Sequence, residues 1–276
     1  MQPCNAIVTG ASHGIGPYIA RALADRHMNL LLVARSEAEL RRLAQELSTD
    51  IKVSTAAIDL GVPRAAQQVA DAALADLGPA DVLVNNAATE PQTRFHVLTP
   101  AEIEYVLQVD LISPLLLSRL LLPGMLKREY GRIVNISSLA GHTSFPHTEA
   151  YAAAKDGLTA FSRVLYSDYR HTGVSATSLI LGPVKDAGVS ARTLAETGLT
   201  ASTAFSISPH KVAAATLHAI DRPKAEMVIS VGPGRMLKAL MDYFPRMGPA
   251  LNHLSGADKL MASVADYRES ARTNSA

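Results

Sequence analysis

Tyr151 and Lys155 stand four residues apart in Tyr-Ala-Ala-Ala-Lys, so a helix there carries both on one face. A phenol beside an ammonium is a candidate proton donor. The positive charge favours the phenolate and lowers the tyrosine from its reference pKa of about 10. Ser138 ends the apolar run Ile133-Val134-Asn135-Ile136, and the ends of strands are where open parallel sheets place their chemistry. Ser137 is its rival, but strand alternation sends the two to different faces. His142, His147 and Glu149 lie nearby; with no partner at ligand spacing they read as loop or pocket-wall residues, and no metal site is expected.

The elements that must position these groups begin near the N-terminus. Ala6-Ile7-Val8 reads as a short buried strand entering Thr9-Gly10-Ala11-Ser12-His13-Gly14-Ile15-Gly16, with Pro17 suited to the first turn of a helix. Strand, glycine turn and helix form the context in which glycines let backbone approach a pyrophosphate, while the helix N-terminus supplies N–H groups and positive potential. The stretch from Gly10 through Ser12, His13, Gly14 and Ile15 to Gly16 is therefore the expected cofactor cradle.

Its spacing, Thr-Gly-x-x-x-Gly-x-Gly, resembles the short-chain dehydrogenase/reductase family. Asn85-Asn86-Ala87, Ser138 and the Tyr151/Lys155 pair follow in order at family spacing, and the resemblance runs from about Asn5 to Ser230. It implies an α/β fold of class doubly wound (Rossmann), with about seven parallel strands and helices on both faces, in a single domain over 1–276. Strands alternating with amphipathic helices support the same class independently. The resemblance also implies that Tyr151 is the general acid/base, that Lys155 lowers its pKa and binds the nicotinamide ribose, and that Ser138, thirteen residues before Tyr151, bonds the substrate oxygen. Asn86 and Ala87 would line the nicotinamide ribose, with Ala88 in place of the usual glycine. Gly182 and Val184 would stand beside the nicotinamide, the Val184 N–H holding its carboxamide. Leu181 replaces a proline and Asp186 a threonine; Asp186 is expected to turn away from the pyrophosphate. Asp59 would receive the adenine amino group and Leu60 pack the ring, though Asp59 equally reads as a cap for the helix around Arg64 to Leu77.

Two positions colour this reading. An acid that would hold the ribose 2′-hydroxyl of NAD is expected at the end of the second strand, yet Ala34 stands there and Arg35 follows. A guanidinium with no competing carboxylate suits a 2′-phosphate, so NADP is favoured over NAD; a solvated arginine at a helix start is the alternative. Asp110 occupies a position where the family usually has an asparagine, whose backbone carbonyl serves a water leading to the lysine. Pro114, four residues on, has no N–H and disrupts the helix, which predicts a free carbonyl at 110 whatever its side chain. A buried carboxylate near Lys155 would raise the lysine pKa and weaken its help to Tyr151, so an intact relay with altered pH dependence is expected.

The expected activity is an NADP-dependent interconversion of a ketone or aldehyde with an alcohol, on a small and fairly apolar substrate. Two alternatives stand beside it: an NADP-binding sensor or scaffold with weak catalysis, and a ketoacyl-thioester reductase docking through Lys185 and Arg192. Residues 187–208, rich in Ala, Ser and Thr, would form a substrate lid, and 233–276 a C-terminal extension, loosely structured after Asp266. Within it, the apolar positions between Arg235 and Pro245 recur at helical spacing and could border a substrate pocket, dock a subunit or touch a membrane; with few basic residues, a core or subunit helix is expected rather than a membrane contact. Ser36 with Glu39 and Thr99 with Glu102 are written as capping boxes.

Among 276 residues with a net charge of +1, nothing points to a nucleic-acid partner. The one cysteine, Cys4, fits a reducing compartment, and no leader is visible, so a cytoplasmic protein is expected. The most apolar run, Leu115 to Leu126, is interrupted by Arg119 and Pro123. Homo-oligomers, dimers or tetramers, are what the resemblance implies.

Overall fold

Strand β1 (Asn5–Thr9) is buried along its whole length, and around it the computed structural model assembles a parallel sheet. The described residues are 4–199 and 206–273, with backbone alone for 189–192. Besides β1 the strands are β2 (Asn29–Ala34), β3 (Val53–Ala57), β4 (Val82–Asn85), β5 (Gly131–Ser138), β6 (Val174–Leu181) and β7 (Glu226–Ile229). The sheet has seven strands in the order β3-β2-β1-β4-β5-β6-β7, and every pairing is parallel. The strand order reverses at β1, between β2 and β4, so the loops leaving β1 and β4 bound the crevice where such sheets bind ligands.

Both faces of the sheet are covered, and the alternation of strand side chains divides the core in two. Ala6, Val8, Leu30, Leu32, Val84 and Val134 pack on one side with Ile19 and Leu23 of α1 (Gly16–Ala24), Leu40 of α2 (Glu37–Leu47) and Val212 of α9 (Pro209–Asp221). Ile7, Leu31, Val33, Leu83 and Ile133 pack on the other with Val69 of α3 (Ala65–Asp76), Leu117 and Met125 of α5 (Ser113–Lys127) and Leu165 of α7 (Glu149–Tyr169). One residue's shift in register would exchange these two sets, which pins the strands.

Helix α4 (Pro100–Leu107) begins with the expected capping box: Thr99 Oγ1 accepts the Glu102 N–H, and Glu102 accepts the Thr99 N–H. The second expected box does not form. Ser36 caps α2 with no side-chain bond, because Glu39 is engaged by Arg42 at 2.6 Å. Between α4 and α5 the chain widens into a π-turn, Gln108–Ile112, just before Pro114. Proline cannot donate to the Asp110 carbonyl, so the regular α-helical bond is missing at the position the sequence indicated. The continuous helical run Pro100–Lys127 is long and apolar enough to cross a bilayer by length and composition; here it packs beside α3 and α7 as a layer of the fold.

The segment read as a lid contains helix α8 (Gly188–Thr197), while 200–205 lie outside the described residues. A short turn of helix, α6 (Ala140–Thr143), follows β5. The C-terminal extension forms α10 (Gly234–Tyr243), α11 (Met247–Ser255) and α12 (Ala257–Thr273). The expectation of a loose tail after Asp266 is corrected. Helix α12 continues through it and is tied to the body by Arg94 to Asp266 and Glu269, at 2.6 and 2.7 Å, and by Arg272 to Glu102 at 2.6 Å.

Candidate active site

Ser138, at the end of β5, and Tyr151 and Lys155, in the first two turns of α7, converge at the C-terminal edge of the sheet. Ser137 and Ser138 take opposite roles, as alternation requires. Ser137 is buried and donates to the Lys155 carbonyl at 2.9 Å, whereas the Ser138 hydroxyl accepts the Ala140 N–H at 3.1 Å and bonds the Tyr151 phenol. Behind them a buried polar ladder fixes α7 against the sheet. Asn85 donates to Asn135 at 2.8 Å, Asn135 donates to Ser162 at 2.8 Å, and Thr159 donates to Ser137 at 2.8 Å. These buried bonds hold α7 in one register against the sheet, although Asn85 Oδ1 is left without a partner.

Lys155 is 2% exposed, and its ammonium donates to the Ile136 carbonyl at 3.2 Å. It lies 3.2 Å from Asp110 Oδ2 and 5.4 Å from the centre of the Tyr151 ring. Asp110 is fully buried; its other oxygen accepts the Thr89 N–H at 2.8 Å. The carboxylate anticipated beside the lysine is therefore an ion pair, and the π-turn delivers it. Burial pushes the Asp110 carboxyl up, and the Lys155 charge and the Thr89 N–H oppose this.

The phenol departs from expectation. Tyr151 is pushed well above the ordinary tyrosine value, first by burial and then by the charges of Glu90 and Asp110; the Ser138 bond opposes the shift. Spacing alone predicted a lowered phenol. The correction has a physical reason: burial disfavours the phenolate, the Glu90 and Asp110 charges add to it, and the nearby ammonium is itself paired with Asp110. Glu90 escaped the sequence reading. It is buried in the loop after β4, and burial followed by the Asp110 charge raises its carboxyl to about 7. Its only signal was position, four residues beyond Asn86.

The other wall of the crevice carries the residues expected to hold a dinucleotide. Gly10 and Gly14 have φ of +65° and +63°, and a Cβ on Gly10 would stand 2.7 Å from the Ala87 Cα. A Cβ on Gly16 would stand 2.1 Å from the Gly10 carbonyl oxygen, so all three positions need glycine for the turn to close on α1. Asn86 stitches this turn to β4: its amide donates to the Thr9 and Gly10 carbonyls at 3.0 and 3.1 Å. Thr9 Oγ1 in return accepts the N–H groups of Asn86 and Ala87. His13 is exposed, its ring 2.8 Å from Ser12 Oγ, and Ile15 is buried.

Arg35 leaves β2 exposed at the same edge. Asp59 is not the cap of α3; Arg64 holds that position with φ of 64°. Asp59 instead accepts the Gly61 N–H at 2.8 Å and the Tyr105 hydroxyl at 2.9 and 3.0 Å. Leu60 is buried beside it, its carbonyl held by Ser113. On the opposite side Gly182 donates to Ile229 at 2.9 Å. Val184 pairs with Ile207 through the Lys185 N–H and the Pro183 carbonyl, a pairing that leaves the Val184 N–H uncommitted to it. The Asp186 side chain is 78% exposed, turned outward as expected. A cradle of glycines without Cβ atoms, a helix N-terminus and a cation where β2 ends fit a phosphorylated dinucleotide.

His142 is engaged by two carboxylates. Its ring nitrogens stand 2.7 Å from Asp242 and 3.7 Å from Asp156, and with Lys238, 2.7 Å from Asp242, it fastens α10 to α6 and α7. His147 is at positive φ in the loop before α7, and Glu149 opens that helix. Among the described residues no group of three potential metal ligands converges.

This geometry agrees with the comparisons with known proteins. The family model for short chain dehydrogenase matches residues 4–198. The chain is 34% identical to the ketoacyl reductase HetN of Nostoc sp. over 82% of this chain and 78% of that protein. It is 31% identical to the D-beta-hydroxybutyrate dehydrogenase of Cupriavidus necator over 68% of this chain and 74% of that protein. Among solved structures, a metagenomic short-chain oxidoreductase in complex with NADP superimposes with a TM-score of 0.69 at 30% identity, covering 82% of this chain and 96% of that one. A variant of actinorhodin polyketide ketoreductase with NADPH gives 0.75 at 26% identity, covering 84% and 97%. With the sheet order, the glycine turn and the Ser138–Tyr151–Lys155 constellation already in place, these matches establish that the chain belongs to the short-chain dehydrogenase family of oxidoreductases.

Proposed function

We propose that this protein is an NADP-dependent reductase of a ketone, acting through Tyr151 as the proton donor. The observation that carries the reading is the convergence of Ser138, Tyr151 and Lys155 beside the glycine turn. A nicotinamide cofactor, when bound, supplies the hydride. The chain's own residues do the rest. Ser138 holds the carbonyl oxygen by its hydroxyl, and Tyr151 delivers a proton to the same oxygen. The raised phenol suits that direction, because it keeps Tyr151 protonated and ready to donate at neutral pH. Lys155 holds the ribose and keeps a positive charge within reach of the phenol. Arg35, exposed where β2 ends, supports NADP rather than NAD.

A second reading of the substrate, a ketoacyl thioester, is favoured by the ketoacyl reductase and the polyketide ketoreductase among the relatives. Lys185, half exposed beside α8, is one cation that such a substrate would meet. Turnover of a free ketone but not of a β-ketoacyl thioester would remove this reading.

The direct test of the proton donor is Tyr151→Phe. Turnover of an identified ketone with NADPH should fall by roughly 10²–10⁴-fold, with NADPH binding retained. Persistence near the wild-type rate would show that another group supplies the proton.

A further inference from the structure

The residue that follows β2 raises a problem the fold must solve. Arg35 faces the end of β3, where Asp59 carries a carboxylate, and an arginine beside an aspartate ordinarily closes into a bidentate ion pair. A guanidinium so paired has little left to offer a phosphate. Here the two do not pair. The Tyr105 phenol, from α4, stands between them: Arg35 Nη1 donates to Tyr105 Oη at 3.1 Å, and Tyr105 Oη donates to Asp59 Oδ1 and Oδ2 at 2.9 and 3.0 Å.

We infer that Tyr105 is a positioning residue for cofactor choice, which uses its single proton to occupy Asp59 and so leaves the Arg35 cation available to a 2′-phosphate. The inference rests on the NADP reading above. A phenol has one proton and two lone pairs, so having donated to the carboxylate it can only accept from the arginine. The guanidinium has five N–H donors, and this bond engages one of them. The surroundings are shaped for the ring. A Cβ at position 61 would stand 2.0 Å from the Tyr105 ring, so Gly61 leaves the room, and its N–H also donates to Asp59 Oδ1, at 2.8 Å. Burial and the bond to Asp59 push the phenol up, which keeps it a neutral spacer rather than a second anion.

The test is the binding of NADPH and of NADH, each titrated calorimetrically into wild type, Arg35→Ala, Tyr105→Phe, Asp59→Asn and the double variant Tyr105→Phe/Asp59→Asn. Wild type should prefer NADPH, and Arg35→Ala should lose the preference. Tyr105→Phe should lower the NADPH-to-NADH affinity ratio by on the order of tenfold, because Arg35 then closes on Asp59, while NADH binding stays within about threefold. The double variant should recover most of the ratio, since an amide cannot neutralise the guanidinium; a role for Tyr105 in folding alone predicts no such recovery. Asp59→Asn by itself should keep or raise the ratio. If wild type shows no preference, the NADP reading fails. If wild type and Arg35→Ala behave as stated but Tyr105→Phe keeps the ratio, weakens both cofactors equally or is not rescued, the role of Tyr105 is overturned. Should Tyr105→Phe fail to fold, a fall in the ratio for Asp59→Asn overturns it, and a kept or raised ratio supports it.

Discussion

Asp110 and Glu90 place two carboxyl groups behind one ammonium, and the consequences are electrostatic. Asp110 carries charge toward Tyr151 and raises it, so Asp110→Asn should lower the phenol. An asparagine still accepts the Thr89 N–H, so the change is mainly one of charge. On the proposed mechanism the phenolate is the base in alcohol oxidation, so the limb of kcat that rises with pH should move to lower pH; an unmoved limb would sink the assignment. Glu90 makes a stability prediction. Its carboxyl ionises from 4.5 in the unfolded chain but near 7 in the folded one. Below 4.5 both states hold the proton and nothing changes with pH. Between about 4.5 and 7 the unfolded chain releases its proton first, so stability falls as pH rises, by about 3 kcal/mol in all. Glu90→Gln removes that slope. Its Tm advantage over wild type should grow from about pH 5 to pH 7.5 and then level; a constant difference would show that Glu90 is not the titrating group. Asp110 was anticipated beside Lys155, but the environment of Glu90 was not legible in sequence. Asp110 could be named because it stands where the resembling family has an asparagine, and Pro114, four residues later, pointed to its free carbonyl; nothing in the spacing sets Glu90 beside Tyr151.

Among the elements, the glycine turn is the most constrained. A Cβ on Gly16 would meet the backbone of Gly10 and Ala11, neither of which can rotate away. Gly16→Ala should cost about 1–3 kcal/mol and weaken dinucleotide binding more than it weakens the fold, measured by denaturation and titration side by side. Equal binding by the variant would mean the turn does not contact the cofactor. The elements were also the most readable part of the chain, since strand and helix periodicities are local. The capping boxes mark the limit. Thr99 and Glu102 formed one because Glu102 still reaches the cap with Oε2, while Arg272 bonds Oε1 at 2.6 Å and approaches Oε2 at 3.2 Å without displacing it. Ser36 and Glu39 did not, because Arg42 three residues later takes the carboxylate. A motif states what a side chain can do, and its neighbours decide whether it does.

For the whole molecule, the C-terminal extension is the part that spacing under-described. Helix α12 reaches back across the chain to Arg94 and Glu102, and Arg268 meets Glu196 of α8 at 2.9 Å, so the tail and α8 brace each other. Arg94 engages both Asp266 and Glu269. Arg94→Ala should speed proteolytic release of a fragment from the last helix while the sheet survives, as seen by mass spectrometry of a limited digest; an unchanged digest would mean that apolar contacts through Met261 and Val264 suffice.

The sequence by itself determined the strand and helix order, the glycine turn, the Ser138–Tyr151–Lys155 spacing and the break at Pro114. The glycine turn, the shared face of Tyr151 and Lys155 and the break at Pro114 depend on residues within a turn or two of each other, where backbone geometry leaves little choice. Only the tertiary structure decided how charge is shared: that Lys155 pairs with Asp110, that Glu90 adds a second carboxyl, that Tyr105 stands between Arg35 and Asp59, and that the tail closes on Arg94. Each depends on the distance between groups far apart in the chain, and for the buried Lys155, Asp110 and Glu90 on the low dielectric around them as well. A one-dimensional pattern holds neither quantity.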